Sequence, residues 1–245
     1  MSNRTAVITG AASGMGEAIA RHLVKQGDRV ALLARRTDRL GELAEELGDR
    51  ALPVTADVTS RESVDNAVRQ VHDAFGPVDL VVNSAGVMLP NPIDDGREDE
   101  WVRMIDTNVT GALRVIGAFG ADLVEAAAAG RTADLVNISS IGAHVTFPNY
   151  AVYGATKAAL THLSASLRSE YGPRDVRVTN IEPGLTDTEL GGHIDNDGLQ
   201  GQLGQMVDAI GALSADEIAD LVGYVTSRPR HVNLRQIVIL PTRQA

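Results

Sequence analysis

Tyr153 and Lys157 stand four residues apart, a spacing that puts both side chains on one face of a helix. An ammonium beside a phenol favours the phenolate, so Lys157 is expected to lower the pKa of Tyr153 toward neutrality and make it an acid/base near pH 7. Upstream, an apolar run ends in Ser139-Ser140. A hydroxyl at the C-terminal end of a parallel strand points into the crevice where such sheets bind ligands, and can hydrogen-bond a substrate oxygen. Ser is also common where a strand passes into a turn. Asn83 closes another apolar run, and Asn108 falls inside a long helical stretch. Asn is a poor residue there, so a hydrogen-bonding task is expected of it.

A second group of residues suits a phosphate. The first apolar run leads directly into Thr9-Gly10-Ala11-Ala12-Ser13-Gly14-Met15-Gly16 and then a helix. Glycines at 10, 14 and 16 permit a tight turn, with Ser13 and Met15 between them, and bring a helix N-terminus up to a pyrophosphate. The spacing differs from G-x-G-x-x-G, but the strand–turn–helix setting points to a dinucleotide. The second strand ends in Arg35-Arg36 with no acid to hold a ribose 2′-hydroxyl. Guanidinium groups suit a 2′-phosphate, which favours NADP(H) over NAD(H), with Arg35 ahead of Arg36. The alternative for both is a solvated helix entrance. No metal site is expected: cysteine is absent, and the histidines lack ligand spacing.

These residues need a scaffold. Strands are expected at 5–9, 29–34, 51–54, 79–83, 133–138, 176–181 and 236–240, several rich in Val, Ile and Leu with little polar alternation, as in a sheet covered on both faces. Helices are expected at 16–26, 37–47, 60–75, 99–129, 152–171 and 214–226, the last opened by a capping box. The alternation reads as one α/β domain over 1–245, with a Rossmann-like, doubly wound, parallel seven-stranded sheet and helices on both faces. Residues 191–211 hold six glycines and few strand formers. They read as a mobile insertion, a lid over the substrate.

Composition narrows the function. The 245 residues carry a net charge of −10, which argues against nucleic acid as a partner. The absence of cysteine excludes a disulfide scaffold and a thiol nucleophile. No apolar leader or membrane-length run is evident, so a cytoplasmic protein is expected.

The motifs together resemble the short-chain dehydrogenase/reductases of about 250 residues with a single Rossmann-like domain. The resemblance spans nearly the whole chain and rests on Thr9-Gly10-x3-Gly14-x-Gly16, Asp57-Val58, Asn83-Ser84-Ala85-Gly86, Asn108, Ser140, Tyr153-x3-Lys157 and Pro183-Gly184-x3-Thr188. Ser84 departs from the family's usual Asn-Asn-Ala-Gly, and Ser13 stands where some NADP-dependent members carry a basic residue. The resemblance implies that Tyr153 is the catalytic acid/base and that Lys157 lowers its pKa and binds the nicotinamide ribose. Ser140, thirteen residues before the tyrosine, polarises the carbonyl, and Asn108 holds a water in a proton relay. Asp57 and Val58 flank the adenine; Asn83, Ala85 and Gly86 line the adenosine ribose. Pro183, Gly184, Thr186 and Thr188 hold the nicotinamide end.

Val87-Met88-Leu89-Pro90, the run from Trp101 to Asn108 and that from Ile181 to Leu190 look like a branch with clavulanate-aldehyde reductase and the 3-hydroxy-acid, serine-type dehydrogenases. The implied reaction is hydride transfer between NADP(H) and a carbonyl or alcohol of a small substrate, carboxylate-bearing or from secondary metabolism. Ile141, His144, Tyr150, Leu185, Leu190 and the segment 191–211 are expected to wall its pocket, with His144 and His193 as candidates for binding a carboxylate. The family's helix pairing implies a homodimer or homotetramer. The alternatives are an NAD-dependent alcohol dehydrogenase, a 3-ketoacyl-carrier-protein reductase and a non-catalytic NADP(H)-binding regulator. A halohydrin dehalogenase is argued against by the intact glycine turn and Lys157.

Overall fold

A computed structural model describes residues 3–244. Seven parallel strands form one sheet: β1 Thr5–Thr9, β2 Arg29–Ala34, β3 Ala51–Thr55, β4 Leu80–Asn83, β5 Ala133–Ile138, β6 Val176–Pro183 and β7 Gln236–Ile239. Their order is β3-β2-β1-β4-β5-β6-β7. Helices α1 Gly14–Gln26, α2 Thr37–Leu47, α3 Arg61–Phe75, α4 Glu98–Ile105, α5 Ala112–Ala128, α6 Ala151–Tyr171, α7 Asp197–Ile210 and α8 Ala215–Thr226 complete the chain. Strands β1, β4, β5 and β6 are buried along their whole length. Two apolar layers explain this. Val7, Leu135 and Phe119 belong to one core, and Ile8, Leu23 and Val222 to the other. A strand covered on both faces has no polar side to show, hence the apolar character of β1 and β4, whereas β5 and β6 also bury Asp134, Asn137, Arg177, Asn180 and Glu182.

The order reverses between β1 and β4, which opens a crevice beyond the C-terminal strand ends. Thr9, Arg35, Asp57, Asn83, Ser140 and Pro183 all lie at or just past those ends. Residue type and strand position therefore converge on one edge of the sheet.

Two elements differ from expectation. The helix expected over 99–129 is α4 and α5 joined by a π-helical turn, Asp106–Gly111. The widened turn carries Asn108, buried to 2%. Such turns free backbone and side-chain groups for other tasks, and Asn108 uses this one. The second difference is at 191–211, where a 3-10 turn, Glu189–His193, is followed by the 14-residue helix α7. The Asn196 side chain caps α7 by accepting from the Leu199 N–H. Leu199, Leu203, Met206, Val207 and Ile210 recur at helical spacing, while Gly201 and Gly204 face open space. Gly201 and Gly204 thus sit where this helix needs no side chain.

This segment is pinned at its root. The Leu213 N–H donates to the Leu185 carbonyl and the Asp187 N–H to the Leu213 carbonyl, each at 2.8 Å. Asp195 pairs with Arg97, and Asn196 Nδ2 donates to Asn91 Oδ1 at 3.1 Å.

Candidate active site

The turn after β1 is built to approach a phosphate. Gly10 and Gly14 adopt φ of +69° and +53°, which L side chains rarely tolerate. A Cβ on Gly16 would overlap the Gly10 carbonyl oxygen. Ser13 precedes α1 without a side-chain cap, so the first N–H groups of the helix stay free for an anion. Thr9 Oγ1 accepts from the N–H groups of Ser84 and Ala85, both at 3.1 Å, and so locks the turn to the end of β4. From the other side, Thr188 lies 3.3 Å from where a Gly14 Cβ would be.

The two arginines after β2 are not equivalent. Arg35 is exposed and makes no hydrogen bond or ion pair with the described residues. Arg36 Nη1 donates to Glu189 Oε2 at 2.8 Å and its Nη2 to the Ala12 carbonyl at 3.2 Å. Next door, Asp57 Oδ1 accepts from the N–H and hydroxyl of Thr59. Partial burial works against the Asp57 charge, but the Thr59 bonds, Arg35 and Arg114 outweigh it and hold the carboxyl below its usual pKa. Val58 packs against the π turn at Gly111. The Asn83 side chain faces inward, with Nδ2 donating to Asn137 Oδ1 at 2.9 Å, while its Oδ1 is buried without a protein partner. Ala85 and Gly86 follow in the crevice, and Gly86 keeps open the approach to Asn108 Oδ1 and Lys157 Nζ.

The expected Ser–Tyr–Lys set is assembled. Ser140 follows β5, and its Oγ accepts from the Gly142 N–H at 3.0 Å while hydrogen-bonding Tyr153. Tyr153 and Lys157 lie on α6, both buried. Lys157 Nζ donates to the Ile138 carbonyl at 3.0 Å and lies 5.7 Å from the centre of the Tyr153 ring. Asn108 is fixed by three bonds: its Oδ1 accepts from the Val87 N–H, and its Nδ2 donates to the Val87 carbonyl and to Thr156 Oγ1. Thr156 in turn donates to the Tyr153 carbonyl at 2.7 Å.

The electrostatics correct one expectation. Tyr153 is not drawn toward neutrality. Burial pushes its phenol up to about 12, with the Ser140 hydrogen bond pulling down and Tyr150 pushing up. Burial likewise lowers Lys157 to about 8. Desolvation disfavours the charged form of each group.

A cavity of about 660 Å³ opens in front of Ser140 and Tyr153. Ile141, Tyr150, Leu185 and Leu190 line it, together with Met15, Pro183, Gly184, Thr186 and Thr188. His144 also faces it, but His144 Nε2 bonds Glu182 Oε1 at 2.9 Å and is not a free carboxylate receptor. Glu182 is fully buried and further held by Thr161, Asn180 and Gln236. The His193 side chain lies outside the described residues. Sequence reasoning missed Phe147 and Gln244, which also line it, and named Leu203, Met206 and Val207 only as part of the 191–211 segment. Helical spacing over 199–210 was the available signal for singling out those three.

The glycine cradle, the uncapped α1 terminus and the unpartnered Arg35 fit a dinucleotide with a 2′-phosphate. Among the described residues no group of three His, Cys, Asp or Glu side chains can hold a metal ion.

A family model described as short chain dehydrogenase matches residues 4–198. The chain is 37% identical over 241 residues to an uncharacterized oxidoreductase of Staphylococcus epidermidis, covering 98% of both. It is 36% identical to a serine 3-dehydrogenase of Rhizobium radiobacter over 242 residues, covering 98% of this chain and 95% of the other. Among solved structures, the closed form of a serine dehydrogenase complexed with NADP+ superposes with a TM-score of 0.91 at 31% identity, covering 98% of this chain and 96% of that one.

Proposed function

The chain belongs to the short-chain dehydrogenase family and is an NAD(P)-dependent oxidoreductase, and from that premise we propose that it reduces a small carbonyl compound with NADPH, or oxidises the alcohol with NADP+, using Tyr153 as the acid/base. The observation that carries this reading is the convergence of Ser140 and Tyr153 on one cavity wall, with Lys157 behind the tyrosine.

The nucleotide supplies or accepts the hydride. Gly10, Gly14, Gly16 and the α1 N-terminus hold its pyrophosphate, and Arg35 its 2′-phosphate. Asp57 and Val58 border the adenine, Asn83, Ala85 and Gly86 the adenosine ribose, and Pro183, Gly184, Thr186 and Thr188 the nicotinamide end. Ser140 Oγ donates to the substrate oxygen and stabilises the charge that develops there. Tyr153 Oη gives its proton to that oxygen in reduction and takes it back in oxidation. A phenol raised to about 12 is fully protonated at neutral pH, the form that reduction requires. Lys157 stabilises the phenolate left after transfer, and Asn108 keeps Val87 and Thr156 in place behind the pair. The segment 189–210 covers the cavity and excludes water.

Val102, Ile105 and Leu113 lie exposed along α4 and α5, an apolar stripe that supports self-association into a dimer or tetramer. No helix of the described residues is long and apolar enough to cross a membrane.

The test is a fluorescence titration with NADPH and NADH, followed by carbonyl reduction. Tyr153→Phe should keep NADPH binding and lower turnover by on the order of 10²–10⁴-fold. Binding of neither nucleotide, or a fully active Tyr153→Phe, would overturn the reading.

A further inference from the structure

The substrate end of the cavity has a definite chemical character. Ile141, Val145 and Phe147, between β5 and α6, and Leu203, Met206 and Val207 of α7 supply its walls. Val145 and Met206 remain 45% and 39% exposed at the mouth. Large apolar side chains left open around a concave site are surface that an apolar ligand covers.

The charge is equally one-sided. Among the described lining residues there is no Lys or Arg. The charged ones are Asp187 and Asp208, and neither carboxylate has an ion pair or hydrogen bond with the described residues. His144, the remaining candidate cation, is occupied by the buried Glu182. Lys157 lies behind Tyr153 and is committed to the Ile138 carbonyl. A substrate carboxylate entering here would exchange water for apolar walls and two like charges, with no donor fork to receive it.

Building on the NADP(H)-linked carbonyl chemistry proposed above, we infer that the substrate is an uncharged or amine-bearing, largely apolar ketone or aldehyde, and that small hydroxy acids such as serine are excluded. Ser140 and Tyr153 then take the carbonyl oxygen, and the rest of the molecule meets the apolar walls with the neutral side chains of Thr146 and Gln200 among them. An ammonium group on the far side would face Asp187 and Asp208.

Three ketones of one skeleton isolate the charge: acetophenone, 4-(aminomethyl)acetophenone and 4-carboxyacetophenone. Their kcat/KM with NADPH, and their affinities for the NADP+-saturated protein by calorimetry, are compared with those of L-serine. The carboxylate is expected to fall below the neutral ketone by on the order of tenfold or more in both readouts. Asp208→Asn, an exposed change on α7, should narrow that gap a few-fold, and Asp208→Lys should narrow it further. Equal or better use of the carboxylate would overturn the inference, and its loss on His193→Ala would place the missing cation there. Turnover of L-serine with neglect of all three ketones would also overturn it while leaving the oxidoreductase reading intact. Failure to bind NADP(H) would instead remove that reading itself.

Discussion

Lys157 Nζ stands 5.7 Å from the centre of the Tyr153 ring and gives its hydrogen bond to the Ile138 carbonyl. The two groups share a buried site, and burial drives each toward its neutral form: the phenol up to about 12, the amine down to about 8. The proposed carbonyl reduction uses a protonated Tyr153 and a charged Lys157, which coexist below about pH 8. Above it the ammonium is lost while the phenol remains, and with it the charge that stabilises the departing proton's phenolate. The kcat/KM for NADPH-dependent reduction should therefore be flat on the acid side of about 8 and decline above it, whereas alcohol oxidation, which needs the phenolate, should climb. A pH profile in both directions measures this. A reduction rate indifferent to the loss of the Lys157 proton would contradict it.

The same burial makes Lys157 costly to the fold. Its drop from 10.5 to about 8 corresponds to about 3 kcal/mol carried as a buried charge at neutral pH. The sign follows from proton counts. Between about 8 and 10.5 the unfolded chain holds a proton that the native lysine has released, so stability rises with pH across that window. Tyr153 acts oppositely above 10, where the native phenol keeps a proton that the unfolded one loses. Lys157→Met should abolish turnover, raise the melting temperature at neutral pH and flatten the rise above pH 8. Thermal melts across that range decide the matter, and a variant less stable than the wild type at neutral pH counts against it.

The central strands β1 and β4 are legible in the sequence because burial on both faces leaves a short apolar run in each, while the edge strands β3 and β7, only partly buried, are placed by the alternation with helices. The candidate site is legible because Ser140 follows β5, the glycines follow β1, and Tyr153 and Lys157 stand four apart on one helix, α6. What escapes is set by packing. Nothing in the composition of 191–211 separates a loop from α7, since the glycines lie on its open side. Asn108 is recognisable as a misfit in a helix, but the π turn that uses it is not. The direction of the Tyr153 shift depends on how deeply α6 is buried, and a Tyr-x3-Lys spacing says nothing of depth. His144 reads as a free ligand until Glu182, 38 residues away in the chain, is brought against it.

Cofactor choice should separate the two arginines. Arg35 has no partner to surrender, so Arg35→Ala should weaken NADPH binding on the order of tenfold or more and leave NADH nearly unchanged. Arg36 is shared with Glu189, across an ion pair whose side chains are 46% and 49% exposed, a weak contact that a 2′-phosphate can displace. Glu189→Gln should then tighten NADPH a few-fold by freeing Arg36, again with little effect on NADH. Parallel titrations of both nucleotides measure it; equal changes for NADPH and NADH in Arg35→Ala would assign the 2′-phosphate elsewhere.

Stability, by contrast, should depend on an ion network at the opposite edge of the sheet. Asp134, at the second position of β5, is 2% exposed. It accepts from Arg4 Nη1 at 2.6 Å and from Arg177 Nε and Nη2, each at 2.7 Å. Arg4 reaches on to Asp79, so one cluster joins the chain just before β1 and β4 to β5 and β6. Asp134→Ala would strand two buried guanidinium groups. Arg177 keeps the carbonyls of Thr226 and Arg228, and Arg4 keeps Asp79, but neither replaces the shared carboxylate. The expected loss is about 3–5 kcal/mol, read from urea unfolding. Asp134→Asn should cost less, because it retains one acceptor. Both substitutions lie at the strand starts while the catalytic groups lie at the strand ends, so the folded fraction should keep its kcat. A loss below about 1 kcal/mol would mean that the cluster behaves as a surface ion pair despite its burial.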